Sequence, residues 1–258
     1  MRTGVVLRPT RTPPVGMRGS ASRAGIGRPI LTPASKAGEP SGKNGRMHLD
    51  HVSFAAGPMG LAATTDELGK ALGATFIDGG AHPRFGTRNM ILPLTNHQYV
   101  EVVEVLDHPA ADKAVFGQAV RQRSDAGGGW LGWVVSVDDI TPVEHRLGRH
   151  AVPGNRRRPD GFNLEWQQIG MRGMVADPQL PFVTCWQIDP AEHPSQMAAT
   201  EVELTALEIA GDPHRVYDWL GEEAITALES IKVEWAAPHG VPGILAATFS
   251  TPSGDVRI

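Results

Sequence analysis

From Gly79 to Asn89 the chain reads GGAHPRFGTRN, a stretch with more hydrogen-bonding side chains than a buried strand needs. His82, Thr87 and Asn89 supply an imidazole, a hydroxyl and an amide, which together can donate to and accept from a ligand held in a pocket. Gly79, Gly80 and Gly86 read as tight backbone turns presenting them. The bland alternative is a solvated loop in which Thr87 and Asn89 merely satisfy nearby backbone groups. Trp133, Trp166 and Trp186 lie in apolar runs and offer either a flat wall for an aromatic ligand, Trp133 foremost, or ordinary core packing. Arg156, Arg157 and Arg158 form a basic cluster beside Asn155 and Pro159. That cluster reads as a solvated loop, with the alternative that it attracts an anionic substrate to a cavity mouth.

Other chemistries leave no mark. There is no GxSxG elbow, no GxxxxGK[ST] phosphate loop, no HExxH helix and no CxxC pair. Cys185, the single cysteine, alternates with Trp186 in an apolar strand and has no activating base nearby in sequence, so it reads as inert core.

The elements that must carry these residues follow from periodicity. Leu49–Phe54 alternates and is bounded by Gly57 and Pro58, which predicts a strand. A helix follows over Leu61–Leu72, with Leu61, Leu68 and Leu72 on one face and Gly73 to stop it. Strands are predicted at Ala74–Ile77, Asn89–Leu94 and Gln98–Leu106, then a connecting helix at Pro109–Arg123. After the linker Gly127-Gly128-Gly129 the order returns: a strand at Leu131–Val137, a helix capped by Asp138 or Asp139 through Leu147, and strands at Asn163–Ile169 and Phe182–Ile188. A third start at Val202–Ile209 leads to a helix at Pro213–Leu220, a second helix through Ser230, strands at Ile231–Trp235 and Ile244–Ser250, and a last strand at Val256–Ile258. The starts at Leu49, Leu131 and Leu204 are 82 and 73 residues apart, which suits duplication of a βαβββ unit. The predicted fold is α+β: repeated βαβββ modules forming curled antiparallel sheets around a cavity, with helices outside.

Composition narrows the setting. With 258 residues and 41% hydrophobic content the chain can bury a substantial core. One cysteine excludes an internal disulfide, and no apolar run reaches the ~20 residues of a membrane span. A cytoplasmic protein without membrane contact is the expectation. Residues 1–46 hold nine Lys or Arg against Glu39 alone, a charge of +8, which leaves −12 for the rest of a chain whose total is −4. An acidic folded part argues against nucleic acid as a partner. With eight Gly, six Pro and no periodicity, residues 1–46 read as a disordered tail, or as translation upstream of a true start at Met47. A transit peptide is opposed by Pro9, Pro13 and Pro14, which interrupt any amphipathic helix.

The runs LDHVSF at Leu49, GGAHPRFGTRN at Gly79 and YVEVVEV at Tyr99 resemble the glyoxalase-like branch of the vicinal oxygen chelate superfamily. The stretch Val134–Asp139, the RRPDG run from Arg157 and Leu180-Pro181-Phe182 look similar to its second module. The resemblance covers residues 48–190 and implies a glyoxalase-like domain of two modules over 47–190; residues 200–258 form a third, βαβββ-like module packed on it by pattern alone. It also implies a divalent metal, Zn, Ni, Mn or Fe, held by a histidine on a module's first strand and a carboxylate on its last, positions carried onto His51 and Glu101. Strand parity agrees, since His51 shares a face with Leu49 and Ser53, and Glu101 with Tyr99 and Val103, so that Tyr99 joins the ligand-facing residues. The second module departs from the pattern, with Trp133 where His51 predicts a ligand and Thr184 where Glu101 predicts another. The alternative to a metal is a hydrogen-bonded His51–Glu101 pair inside the cup, in which Glu101 can still act as a catalytic base. The resemblance implies a small oxygenated organic ligand and a metal-assisted lyase, isomerase or dioxygenase. The competing readings are a non-catalytic sequestering protein and a scaffold that pairs as a homodimer through its odd module.

Overall fold

The computed structural model describes residues 47–221, 227–229, 231–236 and 240–258. The tail 1–46 and most of the helix expected to run through Ser230 lie outside the described residues. The described residues all fall in one compact unit.

The first module runs β1 (His48–Ala55), α1 (Gly60–Leu72), β2 (Ile77–His82), β3 (Thr87–Pro93) and β4 (Tyr99–Val105). In α1 Leu61, Leu68 and Leu72 are buried as the leucine spacing requires, and Gly73 at φ 62° ends the helix with its N–H on Gly69 O. These leucines join Val52, Val100 and Val102 in one apolar cluster, so α1 covers the outer side of β1 and β4. Helices α2 (Pro109–Lys113) and α3 (Val115–Asp125) then lead to the second module: β5 (Gly129–Ser136), α4 (Thr141–Leu147), β6 (Val152–Arg157), β7 (Asn163–Ile169), α5 (Met171–Ala176) and β8 (Phe182–Trp186). The N-cap of α4 is Ile140, without a side-chain cap bond, and neither Asp138 nor Asp139; Asp139, one residue earlier, accepts from Thr141 N on Oδ1 at 2.9 Å.

The two modules close on each other. The strand order β1-β4-β3-β2-β6-β7-β8-β5 is a barrel, joined by the antiparallel pair β1–β5 and by a single residue pair, Ala81 with Arg157, between β2 and β6. Pairing is antiparallel except for β1–β4 and β5–β8, where the first and last strand of each module run parallel.

Three expectations change. The strand expected at Ala74–Ile77 instead starts at Ile77 and runs through Gly79 and Gly80, which are bulge residues within β2 and not a turn. A side chain at Gly80 would meet Arg157 O at 1.9 Å, so only glycine lets β2 and β6 approach. Of the cluster Arg156–Arg158, read as a solvated loop, Arg156 and Arg157 belong to β6 (Val152–Arg157), whose strand character Pro153, Gly154 and Asn155 hide. Connecting residues Pro109–Arg123 form two helices, because Ala114 is extended.

The remaining elements are β9 (Glu203–Ala210), α6 (Pro213–Leu220), β10 (Lys232–Ala236), β11 (Gly243–Thr251) and β12 (Gly254–Arg257), in a sheet of order β10-β9-β11-β12. Here the first strand lies between two others and not at an edge, so the element order of the earlier modules recurs without their strand order. Leu204, Leu207, Ile209 and Phe249 pack into the same apolar cluster as Trp133 and Val135 of β5.

Candidate functional site

Inside the barrel the parallel pair β1–β4 sets His51 opposite Tyr99 and Ser53 opposite Glu101. The register of β1 slips at Asp50, so Leu49 falls in the outer core and no longer shares a face with His51. His51 and Tyr99 stack with ring centroids 4.3 Å apart.

Glu101 is the hub. It is 6% exposed, and Ser53 Oγ donates to its Oε2 at 2.9 Å while Asn89 Nδ2 donates to its Oε1 at 2.6 Å. Two imidazoles face it, His51 Nε2 4.0 Å from Oε2 and His82 Nε2 3.6 Å from Oε1. Burial alone would raise its pKa, but the nearby imidazoles of His82 and His51 and the hydrogen bonds from Asn89 and Ser53 outweigh it, so the carboxyl is held below its usual value. His82 is pushed down to about 4, chiefly by burial, with Arg156 and His51 adding repulsion against the pull of Glu101. It is therefore neutral at pH 7, with Nδ1 2.9 Å from Thr87 Oγ1.

A second carboxylate steadies the other end. Asp50, fully buried, is held well below the carboxylate range despite desolvation by hydrogen bonds from His193 Nε2 and His51 Nδ1, both at 2.9 Å, and Trp186 Nε1 also donates to it. Since an ionised carboxylate only accepts, His51 Nδ1–H donates to Asp50 and the ring turns Nε2 toward Glu101. His193, in the turn before Pro194–Gln196, was not foreseen; it lies more than 140 residues from Asp50 and in a loop without periodicity.

The cavity between these groups and the second module leaves about 30 Å³ open to the centre of a water molecule. His51, His82, Tyr99 and Glu101 line one side. Arg156, Trp166, Gln168, Phe182, Thr184 and Trp186 line the other, and Phe85, Phe116 and Met171 complete it. Phe116 belongs to α3, so this connecting helix contributes a wall. Asn89 and Thr87 reach the site through Glu101 and His82 and are not among the lining residues.

Trp133 is placed elsewhere. It is fully buried, packs outward in the core and donates Nε1–H to Gln179 O at 2.9 Å. The register explains the misassignment: Val134 pairs with Phe182 and Ser136 with Thr184, just as His51 pairs with Tyr99 and Ser53 with Glu101. The counterpart of His51 is thus Val134, and alternation turns Trp133 to the opposite face. Thr184 does stand at the counterpart of Glu101. Trp166 and Trp186 line the cavity, their rings 5.2 Å apart. Trp166 lies against Gly154, where any side chain would meet its indole at 2.3 Å. Arg156 is no solvated residue: it is 2% exposed and lines the cavity, whereas Arg158 pairs with Asp160 and Glu192 on the surface.

The family model described as "Glyoxalase-like domain" matches residues 49–224, about two thirds of the chain. The chain belongs to this glyoxalase-like family. The chain is similar in fold to a hypothetical protein from Staphylococcus aureus, with a TM-score of 0.58 and 15% identity over 76% of this chain and 88% of that one. Weaker likenesses are methylmalonyl-CoA epimerase from Mycobacterium tuberculosis (TM-score 0.37, 16% identity, 54% and 86% covered) and the Streptomyces coelicolor enzyme in complex with 2-nitronate-propionyl-CoA (TM-score 0.37, 14% identity, 54% and 95% covered). No curated protein matches the chain. Among the described residues no helix is long and apolar enough to cross a membrane.

Glyoxalase-like folds imply a divalent metal, and the donor set here fits one poorly. The 4.0 Å between His51 Nε2 and Glu101 Oε2 exceeds the ~3 Å between adjacent ligands on ~2.1 Å bonds, so the two as placed do not hold neighbouring positions around one ion. The second module offers Val134 and Thr184 at the corresponding positions, and the Arg156 cation borders the same space. Among the described residues no three His, Cys, Asp or Glu side chains are grouped to hold an ion.

Proposed function

We propose that this glyoxalase-like chain is an isomerase or lyase acting on a small oxygenated organic molecule inside the barrel, with Glu101 as general base. The observation that carries this reading is the buried Glu101 carboxylate, hydrogen-bonded on both oxygens and bordering the cavity between two imidazoles. A ligand C–H beside a carbonyl gives its proton to Glu101 while the bond's electron pair moves onto the carbonyl oxygen, and the proton returns to a different atom. His51, held by Asp50 through Nδ1, keeps Nε2 available to relay it. Ser53 and Asn89 hold Glu101 ionised and in one orientation. Water exclusion by Phe85, Phe116 and Phe182 strengthens these interactions. The single cysteine favours a reducing cytoplasm, and the −12 charge of the folded part favours a small ligand over nucleic acid.

The test needs no knowledge of the final product. Small carbonyl compounds incubated with the protein in D2O should exchange a C–H for deuterium, followed by proton NMR, and Glu101→Gln should slow that exchange about 100-fold or more. Equal exchange by both proteins would rule out Glu101 as the base.

A second reading is a non-catalytic binding protein, favoured by Val134 and Thr184 where the first module carries His51 and Glu101, and by the indole pair Trp166–Trp186. Such a protein would be stabilised by an organic ligand and show no exchange.

A further inference from the structure

We propose that Arg156 anchors a carboxylate, so that the molecule taken by the barrel is a small carboxylic acid with a compact apolar body. The inference rests on the barrel being a small-molecule site, and it goes further by naming the class of ligand.

Arg156 lies near the end of β6, at the join between the modules, and is 2% exposed. Its Nε and Nη2 are buried with no hydrogen-bond acceptor among the described residues. These two N–H groups occupy one edge of the planar guanidinium, the edge that a carboxylate meets with both oxygens in parallel. A guanidinium stays charged in any protein surroundings, and a buried charge with unused donors is unfavourable unless something occupies it. Its neighbours in sequence have different fates: Arg157 is exposed and Arg158 is paired with Asp160 and Glu192. Of the three, Arg156 is the one turned inward with Nε and Nη2 unused.

The cavity around it sorts the rest of the ligand. Glu101 borders the same space and repels a second anion, so the carboxylate belongs at the Arg156 end and the body extends toward Glu101. Phe85, Trp166 and Trp186 give that body aromatic surface. The small open volume, about 30 Å³ for water centres, favours a compact acid over a phosphate ester or an extended conjugate.

Acetate, its neutral counterpart acetamide, benzoate and inorganic phosphate are suitable probes, read by thermal shift and tryptophan fluorescence on the full chain. Acetate should stabilise the wild-type protein and acetamide should not, with benzoate, too large for the open volume of about 30 Å³, weaker than acetate. Arg156→Gln should weaken acetate about tenfold or more, while Glu101→Gln should bind it at least as tightly because a like charge is gone. Equal effects of acetate and acetamide, an undiminished response in Arg156→Gln, or a larger response to phosphate than to acetate would each overturn the proposal. The acid–amide comparison on wild-type protein decides even if Arg156→Gln does not fold. Absence of deuterium exchange by the wild-type protein with carboxylate binding intact would count against the Glu101 reading alone; exchange without carboxylate preference would count against Arg156 alone.

Discussion

Ser53 and Glu101 lie opposite each other on the parallel pair β1–β4, and the Ser53 hydroxyl donates to Glu101 Oε2 at 2.9 Å. A charged acceptor gains more from such a bond than a neutral one, so the contact favours the ionised form. Ser53→Ala removes the donor with little change in volume. The Glu101 carboxyl should then titrate at higher pH than in the wild type, followed by carbon-13 NMR of the side-chain carboxyl. An unmoved titration would mean that Asn89 and the imidazoles suffice.

His82 carries a pH signature of its own. Its pKa is about 4 in the folded chain against 6.5 as a free side chain, so between these values the unfolded chain binds a proton that the folded chain refuses. Stability from this group is full above about pH 6.5 and is lost as pH falls toward 4, by at most about 3 kcal/mol. Urea unfolding at pH 7, 6 and 5 should show the decline, and His82→Gln should flatten it. A profile just as steep in the variant would assign the effect to other groups.

Trp133 should matter to stability and not to ligand binding. Trp133→Phe strips Gln179 O of its donor and leaves a gap between the barrel and the β9–β11 face, at a cost of about 2–4 kcal/mol. Denaturant unfolding measures the loss, and the acetate response corrected for stability should be unchanged. A selective loss of binding would return Trp133 to the ligand wall.

Metal content is the fourth measurement. Protein purified without chelator should carry no stoichiometric transition metal by elemental analysis, and His51→Ala should leave its content unchanged. One equivalent of metal in the wild type that disappears from both His51→Ala and Glu101→Gln would reverse the judgement on the donor set.

Much of the barrel was legible because its strands and helices carry clean periods: Asn163–Ile169 and Pro213–Leu220 were read to the residue, and the leucines of α1 fall where their spacing puts them. Legibility failed where local chemistry contradicts the element. Pro153 and Gly154 disguise β6, and with it the inward aim of Arg156; Gly79 and Gly80 imitate a turn while forming a bulge. A slip at Asp50 reverses the alternation before His51, so matching Leu131 to Leu49 by sequence puts Trp133, one residue short of Val134, at the position of His51. Contacts such as Asp50 with His193 depend on closure of the chain over great sequence distance and leave no local period.

The correspondence of His51 with Val134 and Glu101 with Thr184 also gives the pocket a sense of direction. A site with matching groups from both repeats would accept a molecule equally well after half a turn. With acid–base groups on one side only and a cation with aromatic rings on the other, a ligand held here presents a single face to Glu101, so any proton taken or given should distinguish mirror-image products.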